Sequence, residues 1–196
     1  SETGQMAHTR WAALAFLFLT PAVLANDFQR ERYQQVIKKN FPGFRILDIA
    51  DFGADVRYAV RDGTSGALLV GHFDYDRHVD FAALVIGSEK KRYQGGNNYS
   101  YDYFDGKEVI CHGRNDPAVF ECKISSEMPI TLPQWWYIER IPPGAHSCLE
   151  DEGERGYRWK TITIEIDSVG SVFPEKASGF SGKYRDGTKF DCATSD

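Results

Sequence analysis

Leu68 to Ile86 reads LLVGHFDYDRHVDFAALVI and sets the pattern for the whole chain. Two apolar runs, Leu68-Leu69-Val70 and Phe81 to Ile86, flank a short acidic segment. Runs of this length, rich in branched residues and bounded by turn-forming ones, predict two strands, at 67–73 and 79–87. Between them lie Asp74, Asp76 and Asp80, with His72 just before and His78 inside. Carboxylates this crowded repel one another unless a cation or a basic side chain lies among them. The loop is therefore a cation site or a solvated turn, and both readings stay open on sequence alone.

Outward from this pair, the chain breaks into short segments. Asn26 or Asp27 is placed to cap a helix beginning near Phe28, with Phe28, Tyr33, Val36 and Ile37 on its apolar stripe. Phe41-Pro42-Gly43 stops it. Phe44 to Ile49 alternates as a half-buried strand does, and Val56 to Val60 predicts another. Gln94 to Asn98 predicts a loop tip, and Asp105-Gly106 and Asp186-Gly187 predict tight turns. Lys107–His112, Ala118–Ile124 and Trp159–Ile166 predict further strands, with turns at Asp167 to Gly170. Met128 to Pro133 is expected to be irregular. The sum is an α+β or mainly β domain: antiparallel sheets of about seven or more short strands with one N-terminal helix. No glycine-rich phosphate loop follows a strand, which argues against a dinucleotide fold.

The first five residues, Ser1 to Gln5, read as a vector-derived remnant. Arg10, the apolar run Trp11 to Leu19 and the small residues of Val23-Leu24-Ala25 are ordered as in a secretory signal peptide over 6–25. The run is shorter than the roughly 20 residues a membrane span needs. A single domain over 26–196, in the periplasm or outside the cell, is expected. A net charge of -5 disfavours nucleic acid and anionic lipid as partners. Four cysteines in an exported chain predict two disulfides. Cys111–Cys122 would close a hairpin around Asn115-Asp116-Pro117, and Cys148–Cys192 would pin the tail. Loop entropy alone assigns them about 3 and about 4 kcal/mol.

The segment His72 to Ala82, HFDYDRHVDFA, resembles a degenerate form of the calcium-binding loop of FG-GAP or VCBS-type repeats in secreted bacterial proteins. That loop runs DxDxDGxxD into a short apolar strand. Here His72 stands at the first ligand position, Asp74, Asp76 and Asp80 at the others, and Arg77 where the glycine falls. The resemblance implies weak calcium binding in a structural loop and no catalysis. Histidine replaces a hard oxygen ligand, and Arg77 brings a cation to the loop. The tail from Pro174 to Phe180, then Tyr184 and Asp186-Gly187, also looks like the ends of small exported bacterial proteins.

The same loop supports a transition-metal reading. His72, Asp74 and Asp76 would share one strand face, and His78 and Asp80 would join if the loop folds back. A hydrolase needs a nucleophile beside a base, or two opposed carboxylates. No serine has a GxSxG context, and no carboxylate pair stands out, so a non-enzyme is expected. The aromatic residues carry the functional expectation. Tyr99, Tyr101, Tyr103, Trp135 and Trp136 are of the types favoured in binding hot spots, with Glu150, Asp151, Glu152 and Glu154 as an acidic fringe. The expected function is a binding or inhibitory protein of the bacterial envelope, directed at a protein partner such as a basic cell-wall enzyme. The alternatives are an envelope hydrolase using carboxylates or a metal, and a structural calcium-loop domain without activity.

Overall fold

The computed structural model describes the backbone of residues 21–61, 63–96, 99–151, 157–172, 179–183 and 189–193, and the side chains of 28–61, 63–96, 99–148 and 158–172. The expected signal segment lies largely outside the described residues. So do the turn at Asp186-Gly187 and the side chains of Glu150 to Glu154.

The chain is mostly antiparallel sheet with one helix near its N-terminus. That helix, α1 (Pro21–Asn40), begins before the expected caps, so Asn26 and Asp27 lie inside it. Lys38 and Lys39 in its last turn complement the helix dipole. Tyr33 and Ile37 are buried and Val36 packs against the core, whereas Phe28 is 77% exposed and leaves the predicted stripe. Tyr33 stacks tilted on Phe81 at 4.5 Å between centroids, and Phe120 meets Phe81 edge-on at 5.2 Å. This aromatic trio fixes the helix to the sheet. Burial pushes the Tyr33 hydroxyl pKa up, against the opposing charge of Arg32.

The first sheet holds β1 (Phe44–Ile46), β3 (Leu68–Gly71), β4 (Asp80–Gln94), β5 (Ser100–Gly113) and β6 (Phe120–Ile130). Its order is β1-β4-β5-β6, with β3 also on β4. β1 and β3 share one edge of β4: β3 covers Asp80 to Ala83 and β1 covers Val85 to Gly87. Every residue from Asp80 to Ile86 is buried, which explains why this stretch is continuously apolar after its aspartate rather than alternating.

The second sheet runs β2-β7-β10-β11-β12-β8-β9. Its strands are β2 (Ser65–Gly66), β7 (Tyr137–Ile141), β8 (Gly144–Asp151), β9 (Tyr157–Ile164), β10 (Ser168–Val172), β11 (Gly179–Lys183) and β12 (Lys189–Ala193). Tyr137, Ile138 and Val169 of this sheet join the same buried cluster as Leu68, Phe81 and Leu84 of the first. One core therefore spans both sheets. Where the sheets meet, the Arg140 guanidinium donates to the Val70 carbonyl at 3.2 Å and lies 3.9 Å from Asp167.

Several local expectations are corrected. Val56 to Val60 forms turns, because Gly53 accepts from the amides of both Val56 and Arg57. Asp105-Gly106 makes no turn and lies inside β5. A Cβ on Gly106 would stand 2.4 Å from Ile130 Cδ1, so the glycine serves close packing against β6. Met128 to Ile130 is regular strand, and β10 begins within the expected turn at Asp167 to Gly170. Both central strands run past their predicted ends: β4 reaches Gln94 and β5 starts at Ser100.

Candidate functional site

Two features stand out: a buried polar centre at one end of the β4–β5 pair and a tyrosine-lined face at the other.

The buried centre is built by the acidic loop between β3 and β4. Asp74 Oδ1 accepts the Asp76 amide at 2.9 Å, and Asp76 Oδ1 accepts the His78 amide at 2.8 Å. These are successive side-chain-capped turns, and they account locally for aspartates two apart. Asp80 is fully buried and braces the loop against β5. Its Oδ2 accepts from the Phe73 amide at 2.7 Å and its Oδ1 from the Gly113 amide at 2.8 Å. The loop lies so close to β5 that a Cβ on Gly113 would stand 2.4 Å from the Val79 carbonyl oxygen.

His112 completes the centre. Its Nδ1 lies 3.3 Å from Asp74 Oδ2 and 3.6 Å from Asp80 Oδ2. The register pairs Phe81 with Cys111, and one step further brings His112 level with Asp80 on the same face. Asp74, Asp80 and His112 are all buried, and their ligand-type atoms fall within 4.8 Å of one another. Arg114 closes the outer side, 3.4 Å from Asp76 and 3.8 Å from Asp74, and pairs with Glu121. Burial, the shared contact with the Asp76 carboxyl and the charges of Asp80 and Asp76 raise the Asp74 pKa, against the Asp76 amide. Asp76 moves the other way. Burial opposes its ionisation, but the His78 amide, the Asp74 side chain and the charges of His78 and Arg114 together lower its pKa.

Of the residues predicted to bind metal, Asp74 and Asp80 converge. Asp76 turns toward Arg114. His72 is exposed, its Nδ1 2.8 Å from the His78 carbonyl oxygen, and neither His72 nor His78 joins the cluster. His112 was not among the expected ligands. Only the strand register identifies it.

The other feature is the outer half of β4–β5. Beyond an irregularity between Ile86 and Lys90, the two strands continue as a pair, Lys90 to Gln94 against Phe104 to Ser100. Tyr101 and Tyr103 alternate along β5, Tyr93 stands opposite Tyr101, and Tyr99, just before β5, packs its ring on Tyr101. Their rings form a ladder: Tyr93–Tyr101 at 5.1 Å, Tyr99–Tyr101 at 5.7 Å and Tyr101–Tyr103 at 6.1 Å between centroids. Tyr99 is 65% and Tyr93 46% exposed. The ladder opens onto an adjoining groove of about 670 Å³, floored by Gly106, Met128 and Pro129 and rimmed by Asp105, Lys107 and Glu127. Lys91 pairs with Asp105, and Lys107 pairs with Glu127.

Trp135 and Trp136 lie apart from this face. They lead into β7 of the second sheet, half-buried, with Trp136 packed on the core. Sequence reasoning grouped them with the tyrosines and did not single out Tyr93.

Cys111 and Cys122 form a disulfide between directly paired residues of β5 and β6. Cys148 is also disulfide-bonded, while the side chain of Cys192 lies outside the described residues. Among the described residues no helix is long and apolar enough to cross a membrane.

No family model, no curated protein and no solved structure matches this chain.

Proposed function

We propose that this is an exported binding protein that covers a partner's surface with the tyrosine face of its β4–β5 arm. The ladder of Tyr93, Tyr99, Tyr101 and Tyr103 carries the reading. Four aromatic rings held on a paired strand expose contact area at low entropic cost, because each ring has few torsions to lose on binding. An isolated tyrosine on a surface needs no explanation, whereas a contiguous row beside a groove marks a contact surface. The net charge of -5 favours encounter with a basic partner, such as an enzyme of the bacterial cell wall. β6 pairs with β5 as far as Phe104 and anchors the root of the arm, and beyond it the β4–β5 pairing carries the rings.

The hydrolase reading has less support. Asp74 and Asp80 are 4% and 0% exposed, too enclosed for a substrate to reach them as a carboxylate pair. Retention of envelope proteins on immobilised protein tests the proposal, comparing wild type with a Tyr93→Ala, Tyr101→Ala double variant. A basic envelope protein should elute from the wild type and be lost from the variant. Equal retention by both would reject the tyrosine face.

A further inference from the structure

We infer that Asp74, Asp80 and His112 bind a divalent transition-metal ion of the zinc class, which locks the β3–β4 loop onto β5. The inference starts from His112. Its ring is nine-tenths buried, and among the described residues Nδ1 has no hydrogen-bond partner although two carboxylate oxygens face it at 3.3 and 3.6 Å. A proton shared with either carboxylate would require a shorter, aligned contact. The two spacings from Nδ1 instead match edges of a coordination tetrahedron, and all three ligand atoms lie within 4.8 Å of one another. Metal–ligand bonds of about 2.1 Å at tetrahedral angles separate ligand atoms by about 3.4 Å.

The charges agree with this. Two buried carboxylates face one imidazole, and Arg114 is held mainly by Asp76 and Glu121 on the outer side. A dication bound by Asp74 and Asp80 would leave the centre electrically neutral. The ligand types select among cations. One imidazole and two carboxylates suit zinc and its neighbours, whereas calcium takes six to eight oxygens. Asp80 is oriented for the task by the Phe73 and Gly113 amides, the outer hydrogen bonding typical of metal-ligating carboxylates. The enclosure indicates a structural site. Its ligands come from the loop, the start of β4 and β5, so the metal would add to the Asp80–Gly113 hydrogen bond and the Arg114 ion pairs that already hold the loop there.

Chelator-stripped protein titrated with zinc chloride tests this by calorimetry and by melting temperature. Wild type should bind one equivalent and melt higher. His112→Gln and Asp74→Asn should each lose that equivalent, while His72→Ala and His78→Ala keep it. Far-ultraviolet circular dichroism checks that the variants fold, and Asp74→Asn, which spares the Asp80 brace, decides if His112→Gln does not. Absence of zinc binding by wild type would overturn the inference. So would unchanged binding in a folded His112→Gln or Asp74→Asn variant, or binding abolished by His72→Ala or His78→Ala.

Discussion

Asp51 shows how much one side chain fixes. It closes the 3-10 turn Ile49–Asp51 by accepting the Asp48 amide at 2.6 Å, and it holds both Nη atoms of Arg45 at 2.5 and 2.8 Å. Burial raises its pKa, but the Arg45 contacts, the Asp48 amide and the charge of Arg30 outweigh it, and the net shift is downward. A depressed carboxylate stabilises the fold fully above its unfolded value, about 3.9, and loses that contribution as pH falls through the lower folded value. Asp51→Ala should therefore cost about 1 kcal/mol near neutral pH and progressively less below about pH 4, read by urea melts across pH. Gly106→Ala should cost about 1–3 kcal/mol in the same assay, because the new methyl meets Ile130 and the Met128 carbonyl. Neither role was legible in the sequence. Asp105-Gly106 carries a strong local turn signal, overruled by pairing with β4 and β6 that local chemistry does not encode. The position of the acidic loop was legible from the apolar runs on either side of it, but the solvated-turn reading did not foresee the burial of Asp74 and Asp80, which accept from the amides of Asp76, Phe73 and Gly113. His112 was not legible, because it meets Asp80 only through strand register.

At the scale of elements, the apolar runs at Leu68 and Phe81 read correctly as paired strands, since burial on both faces writes itself as unbroken hydrophobicity. The extension of β4 to Gln94 did not read, because residues 88–94 are exposed or half-exposed and Glu89 to Arg92 are charged, and pairing alone keeps them extended. The hairpin disulfide did read, as an even cysteine count flanking a turn. Replacing Cys111 and Cys122 together by alanine should lower stability by about 3 kcal/mol, measured by urea unfolding with the slope fitted for each protein. Unchanged stability would mean that strand pairing alone holds β5 and β6. Helix docking is the other element-scale test. Phe81→Ala removes the ring between Tyr33 and Phe120 and should cost about 3–5 kcal/mol, with earlier exchange of the α1 amides.

For the whole molecule, the two ends of the β4–β5 pair differ in kind. One end is closed, charged and anchored by Asp80; the other is open and aromatic. Antiparallel class and the N-terminal helix were legible because periodicity and turn residues report them. The two-sheet order was not, because β2 and β7 meet across a long stretch of chain, and the pairing of β10 with β7 is equally distant from local signals. The central claim is that the outer end meets a partner. Photo-crosslinking in an envelope fraction tests it most directly, with a photoreactive tyrosine analogue at Tyr101 in one protein and at Tyr58 in another. Tyr58 is 77% exposed and lies outside the arm, so it reports random encounters. The account predicts a discrete adduct with a basic protein from position 101 and none from position 58. No adduct at 101, or the same adducts from both positions, would contradict it.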